Sequence, residues 1–204
     1  YRLYRYGKST LPFLFPLSPY IFLFFYRKYT EHRICCICSG NFLDLVQQHK
    51  FYDGLYIHRI APNYCIQFGC PYALHPHVYY GTLDDDAGQG SGPPDTAFKS
   101  CIGKEHTRDE YGNIEDELVK GISNAEGTLS MANSGEPETG GSQVFINMKD
   151  NKHLNWWNGE SESAHSVFGK IIEGYDNVKK IEAVETSAEQ PVNPIKIISV
   201  KILS

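Results

Sequence analysis

The sequence predicts a mainly β fold in which short antiparallel strands close, or nearly close, into a barrel carrying two helices. Three observations carry this. Short β-prone runs recur along the chain, each bounded by Gly, Pro, Asn or Ser. Only two segments have the apolar spacing of an amphipathic helix. Many strands with so few helices to cover them leave exposed edges unless the sheet closes on itself.

Taken in order, NFLDLVQQHK from Asn41 to Lys50 puts Phe42, Leu45 and Val46 on one helical face and Asp44, Gln47 and Gln48 opposite. Asp53-Gly54 supplies turn chemistry, and LYIHRI then alternates as a strand with His58 and Arg59 on opposite faces, one of them inward. Val144 to Met148, Ser166 to Ile172 and Ile195 to Leu203 are further β-prone runs. In the last, Lys196, Ile198, Val200 and Ile202 share one face and Ile195, Ile197, Ser199, Lys201 and Leu203 the other. GYDNVKKIEAVET reads as the second helix, with Val178 and Ile181 inward. Residues 71 to 125 read as a long irregular stretch, with no internal repeat.

At 204 residues, with 41% hydrophobic and 21% charged side chains, the chain is sized and composed for one ordinary globular domain. The net charge of −5 removes the general attraction to phosphate on which nucleic-acid binding rests, so no nucleic-acid partner is expected. The charge is uneven. Residues 1–40 hold Arg2, Arg5, Lys8, Arg27, Lys28 and Arg33 against Glu31, a balance of +5 that leaves −10 on the remainder. Their apolar run, Leu11 to Tyr26, is interrupted by Pro12, Pro16 and Pro19, so it is too short and too broken for a spanning helix, and no small-residue cleavage site follows it. Residues 1–38 therefore read as an atypical basic and aromatic segment: an anchor, a signal or a gene-model artefact, with membrane contact left open. Residues 39–204 read as the folded domain.

Six cysteines and no Asn-x-Ser/Thr acceptor favour a reducing compartment. Cys70 and Cys101 bracket a long loop, either as an oxidisable pair or as two buried thiols. No metal site is assigned to Cys35, Cys36 and Cys38 or to His75 and His77, and no cofactor is expected. GQGSG is followed by Pro93-Pro94 rather than Lys-Ser/Thr, so it is no phosphate loop, and no G-x-S-x-G elbow marks a nucleophilic serine.

Three segments, FYDGLYIHRIAPNYCIQFGC, GTLSMANSGEPETGGSQVFINMKDN and HSVFGKIIEGYDNV, form an ordered set that resembles the cyclophilin family of peptidyl-prolyl cis-trans isomerases. The resemblance spans roughly Ser39 to Leu203. It implies an eight-stranded closed antiparallel barrel capped by two helices, and catalysis of rotation about Xaa-Pro bonds in polypeptides, assisting protein folding. His58-Arg59-Ile60 matches the block that carries the family's catalytic arginine, which places that role on Arg59. Tyr64, Cys65, Gln67, Ala132, Asn133, Gln143, Phe145, Leu154 and His165 match substrate-contact positions. Cys65 stands where the family has methionine and should leave that wall less full. His153 stands where well-known members have the tryptophan that hydrogen-bonds cyclosporin, so cyclosporin binding is expected to be weak. Trp156 and Trp157 fall in the insert NWWNGESESA that follows. The lead-in CICSGNF departs from the family's pattern, its first two strands are not recognisable here, and residues 71–98 are longer than in the smallest members.

The chemistry suits this assignment. Rotation about a prolyl amide crosses a barrier of about 18–20 kcal/mol because C–N resonance is lost, and no bond is made or broken. A nucleophile, a metal or a tuned acid–base pair would have no task; a donor aimed at the prolyl nitrogen and a dry apolar pocket would. Two other classes remain open at this level. One is a weakly catalytic proline-peptide binding module or assembly factor, motivated by Cys65, His153 and the lead-in. The other is a thiol or metal protein built on the cysteines.

Overall fold

The computed structural model describes residues 35–75, 83, 86–159 and 163–202. The Leu11–Tyr26 run, His77 and the rest of residues 1–34 lie outside the described residues.

Helix α1, Cys36–Gln47, buries Cys38, Phe42, Leu45 and Val46. It begins at Cys36 rather than at Asn41, and it runs across the change of composition near Ser39. No residue at its start caps it with a side chain; instead the Glu117 carboxylate, 80 residues away, accepts the Ile37 N–H. The end of the helix passes into the Asp53-Gly54 turn, where Gly54 has φ of 89°. Gly40 lets α1 lie directly on the chain at Lys99, since a Cβ there would stand 2.3 Å from the Lys99 carbonyl oxygen.

Strands β1 (Arg59–Ala61) and β2 (Cys65–Phe68) form a hairpin. Two further strands, β3 (Ala97–Lys99) and β4 (Glu105–Thr107), pair inside the stretch expected to be irregular. Their cores are the single buried residues Phe98 and His106, too few for a periodicity to register in sequence. β5 (Thr128–Met131), β6 (Val144–Asn147) and β7 (Val167–Lys170) complete an antiparallel sheet of order β1-β2-β6-β5-β7, with a register shift at Leu129/Ser130. Helix α2, Tyr175–Glu182, turns Val178 fully and Ile181 partly inward, as the pattern predicts. β8 (Thr186–Ser187) and β9 (Gln190–Pro191) form a small separate hairpin.

The fold is therefore mainly β with two α-helices. Among the described residues the strands make one open five-stranded sheet and two two-stranded pairs, rather than a closed ring. The predicted strand over Ile195–Leu203 is replaced by a single bridge, Tyr56 to Lys196, and its alternation fails. Ile195 and Ile197 are buried and Ile198 is exposed, but Val200 is buried too. The Val200 N–H donates to Asp53 Oδ1 at 2.8 Å, which diverts the backbone from the ladder.

The main core joins α1 to the sheet through the stacked rings of Phe42 and Tyr52, with Phe68 and Phe168 against them. Beside it lies a wholly buried guanidinium. Arg108 donates from Nε to Asn41 Oδ1, from Nη1 to Thr96 Oγ1 and from Nη2 to Asp44 Oδ2, at 2.8, 2.8 and 2.7 Å, with its charge over the Phe98 ring. Removing one partner of a buried ion pair leaves the other charge stranded. Arg108→Met is therefore expected to lower folding stability by about 3–5 kcal/mol in urea unfolding; an unchanged midpoint would show that the pair is dispensable.

Candidate functional site

Antiparallel register sets the site. Arg59 pairs with Gln67, Gln67 with Phe145, and Phe145 with Ser130, so these four share one face across four strands. Their neighbours Ile60, Ile66, Ile146 and Leu129 form the opposite row and belong to the main core. A slip of one residue would exchange the two rows. Of the His58 and Arg59 pair it is His58 that is buried, while Arg59 keeps 37% of its side chain exposed.

The Arg59 guanidinium is held at two edges. Nε donates to Glu189 Oε2 at 2.7 Å and Nη1 to Gln67 Oε1 at 3.4 Å, and the charge lies 5.6 Å from the centre of the Tyr64 ring. Burial, the largest single influence, works against its charge, but the Glu189 carboxylate together with Cys65 and Tyr64 outweighs it and its pKa is raised. Glu189 sits at the tip of the β8–β9 hairpin, where Ala188 and Glu189 have φ of 48° and 63°, the combination of a type I′ turn. The hairpin is fastened beside β1 because the Ile60 N–H donates to the Glu189 carbonyl at 2.6 Å.

From Gln67 the network continues. Its Nε2 donates to Gln143 Oε1 at 2.9 Å, and Gln143 Nε2 donates to the carbonyls of Gly88 and Gly90. The glycine-rich loop thus presents carbonyl oxygens inward to Gln143. Gln67, Ala132, Asn133 and Gln143 line a cavity of about 810 Å³, together with Gly90 and Tyr111. A smaller one, about 250 Å³, is bordered by His58, Arg59, Gln67, Gly88 and Glu189.

The apolar members form a separate cluster. Cys65, Ala132, Phe145 and Leu154 are buried against Ala61, with Tyr64 partly buried beside them. His153 stacks on Tyr64 at 5.9 Å and His165 stands edge-on to Phe145 at 5.3 Å. Phe145, Leu154 and His165 line neither of these two cavities. Asn133 donates to the Ala164 carbonyl at 2.7 Å. Trp156 is exposed and makes an edge-to-face contact with Trp157.

Sequence reasoning missed two groups. Glu189 is one; nothing local marks it, since it reaches Arg59 across 130 residues. The other is a buried amide network. Asn124 Nδ2 donates to the Leu154 and His165 carbonyls and to Asn155 Oδ1, Ser130 donates to Asn124, Asn147 donates to Ser130, and Asn151 donates to Asn147 and to the Tyr64 carbonyl. It pins the backbone of three residues of the apolar cluster and its rim. Cys101, considered with Cys70 in sequence, is instead bonded to Cys36, with Cα atoms 4.9 Å apart, while Cys70 is a buried free thiol. The sequence separates Cys70 from Cys101 by a loop but shows nothing of α1, which the fold brings against the segment after β3.

Residues 31–202 match the family model for cyclophilin type peptidyl-prolyl cis-trans isomerase. A peptidyl-prolyl cis-trans isomerase of Acinetobacter baylyi is 33% identical over 173 residues, covering 82% of this chain and 74% of the relative. Peptidyl-prolyl cis-trans isomerase A of Dickeya dadantii is 30% identical over 168 residues, covering 80% and 71%. A crystal structure of a Cryptosporidium parvum cyclophilin type isomerase, solved in the presence of the dipeptide Ala-Pro, superposes with a TM-score of 0.59 at 25% identity, covering 84% of this chain and 89% of that one. The chain belongs to the cyclophilin family of peptidyl-prolyl cis-trans isomerases. It is an enzyme whose reaction is rotation about Xaa-Pro peptide bonds.

Two histidines make the site region sensitive to acid. Burial lowers the His58 pKa from 6.5 to about 4, with the Arg59 charge acting the same way against a contact with Gln143. Burial also lowers His165, whose Nδ1 donates to the Met131 carbonyl at 2.9 Å while Nε2 accepts from Ser163. The unfolded chain therefore takes up protons that the folded chain refuses. Stability is full above pH 6.5 and is lost as pH falls toward about 4, at about 1.4 kcal/mol per unit of His58 depression. The urea midpoint should decline across that window and His58→Phe should flatten the decline; a wild-type midpoint constant over that window would overturn it. NMR is expected to find His165 neutral at pH 7 with its proton on Nδ1.

Proposed function

We propose that Arg59 supplies the catalytic hydrogen bond. As the Xaa-Pro bond twists, resonance is lost and the lone pair localises on the prolyl nitrogen, so a donor directed there binds more strongly in the twisted state than in either planar one. Arginine suits the task because its fork stays charged and offers several donors. The observation that carries this reading is the double anchoring of the guanidinium. Glu189 takes Nε and Gln67 takes one edge of Nη1, which supports an assignment of the remaining N–H groups to substrate.

In this reading Tyr64, Cys65, Phe145, Leu154 and His165 form the apolar wall for the pyrrolidine ring. Water exclusion there favours the less dipolar twisted amide. Gln67, Ala132, Asn133 and Gln143 hold the flanking peptide backbone, so that rotation is confined to one half of a clamped chain. The hydrogen bonds from Gln67 to Gln143 and onward to the glycine-rich loop support a preset orientation of both amides. The substrates are exposed Xaa-Pro segments of flexible or unfolded polypeptides. His153, stacked on Tyr64 where a tryptophan would offer an indole N–H, supports weak cyclosporin binding.

We further propose that the sheet is part of an eight-stranded closed barrel. Leu55 to Ile57 and Ile195 to Ile197 exchange backbone hydrogen bonds, Ile57 N–H to Ile195 and Ile197 N–H to Leu55, at 2.9 and 2.7 Å. This continues the pairing beyond β1 on the side away from β2.

The test is exchange kinetics on an Xaa-Pro tetrapeptide. Arg59→Ala is expected to lower kcat/KM by about a hundred- to a thousandfold, the scale set by loss of one preorganised donor. Peptide affinity measured by NMR titration should fall far less. Equal rates for the two proteins would remove Arg59 from the mechanism.

A further inference from the structure

A group of side chains at the start of α1 has no part in the isomerase site. Cys35 and Cys38 are separated by two residues, a metal-ligand spacing, contrary to the expectation that these cysteines lack one. Both are free thiols, 0% and 2% exposed. The fold brings Glu117 to them, and the two Sγ atoms and a carboxylate oxygen lie within 4.8 Å of one another.

We infer that Cys35, Cys38 and Glu117 bind a thiophilic divalent cation of the zinc type, which clips the N-terminus of α1 to the segment around Glu117. Four features carry it. Zn–S bonds of about 2.3 Å put two tetrahedral thiolates about 3.8 Å apart, a separation inside the 4.8 Å span of the three ligand atoms. Two sulfurs in a set of three select zinc-like ions over calcium or magnesium. The carboxylate is already oriented, because it accepts the Ile37 N–H. Its backbone is oriented too, since Ser166 Oγ donates to the Glu117 carbonyl at 2.9 Å.

Charge points the same way. A divalent cation would offset most of the charge of three anionic ligands, beside the positive end of the α1 dipole. Cys36 is withdrawn from the ligand set by its bond to Cys101. Glu117 is half-buried, which leaves a fourth tetrahedral position open to water.

The experiment is a Co²⁺ titration of the full chain, made metal-free and handled anaerobically without reductant so that the Cys36–Cys101 bond stays intact. One equivalent should produce thiolate-to-cobalt charge-transfer absorption with tetrahedral ligand-field bands, and Zn²⁺ should displace it. Cys38→Ser should weaken binding by more than about a hundredfold, since even outer-shell changes at metal sites cost ten- to a hundredfold. Glu117→Gln keeps an acceptor for the Ile37 N–H and should weaken it by about ten- to a hundredfold. The Cys36→Ser/Cys101→Ser double variant should keep the full signal. An octahedral cobalt spectrum in the wild-type protein overturns the proposal whether or not any variant folds. So does a charge-transfer band that survives Cys38→Ser or disappears in the Cys36→Ser/Cys101→Ser variant.

Discussion

One line of side-chain hydrogen bonds organises the functional face: Glu189 to Arg59, Arg59 to Gln67, Gln67 to Gln143, and Gln143 to the carbonyls of Gly88 and Gly90. It joins the β8–β9 hairpin, strands β1 and β2, the residue that leads into β6 and a glycine-rich loop, segments spread across the sequence. The Arg59–Glu189 pair is half-exposed, so it adds little to stability, about 0–1 kcal/mol. Its weight is geometric. A long flexible side chain loses conformational entropy wherever it is fixed, and here that entropy is spent in folding rather than at the moment of binding. The strand register underneath makes the line possible, because it puts Arg59, Gln67 and Phe145 in one row.

Two further polar systems lie out of water, and both exist to bind segments together. Arg108 ties α1 to the β3–β4 region through Asn41, Thr96 and Asp44. The Asn124, Asn147 and Asn151 amides tie the loop carrying Leu154 and His165 to the sheet. Such networks are costly when incomplete and specific when satisfied, so they select one packing of loops that apolar contacts alone would leave interchangeable. The apolar cluster around Phe145 owes its arrangement to this frame as much as to its own contacts.

Local pattern told most where local forces decide. Val178 and Ile181 announced α2 because amphipathic spacing is a property of a few consecutive turns, and the Val144 run announced β6 for a similar reason. The start of α1 was hidden because its cap is the distant Glu117. The segment after Ile195 looked like a regular strand because alternation cannot reveal that Asp53 captures the Val200 N–H. At the site, alternation separated His58 from Arg59 but could not say which was inward, and family resemblance rather than spacing singled out Arg59. Glu189 and the asparagine amides were illegible for one shared reason: each acts on groups brought to it by tertiary structure, and a lone Asn or Glu in a polar stretch carries no signature of its partner.

The β8–β9 hairpin places opposing demands on a single residue. Both of its central positions are left-handed, a conformation that Asn and Gly adopt readily and that costs Ala or Glu about 1 kcal/mol or more. Changing the pair to Asn-Gly would relax the backbone and delete the carboxylate that steadies Arg59. Under the role proposed for Arg59, heat resistance and isomerase competence pull position 189 in contrary directions, and variants chosen only for hardiness would drift toward a sturdier turn beside a slacker arginine.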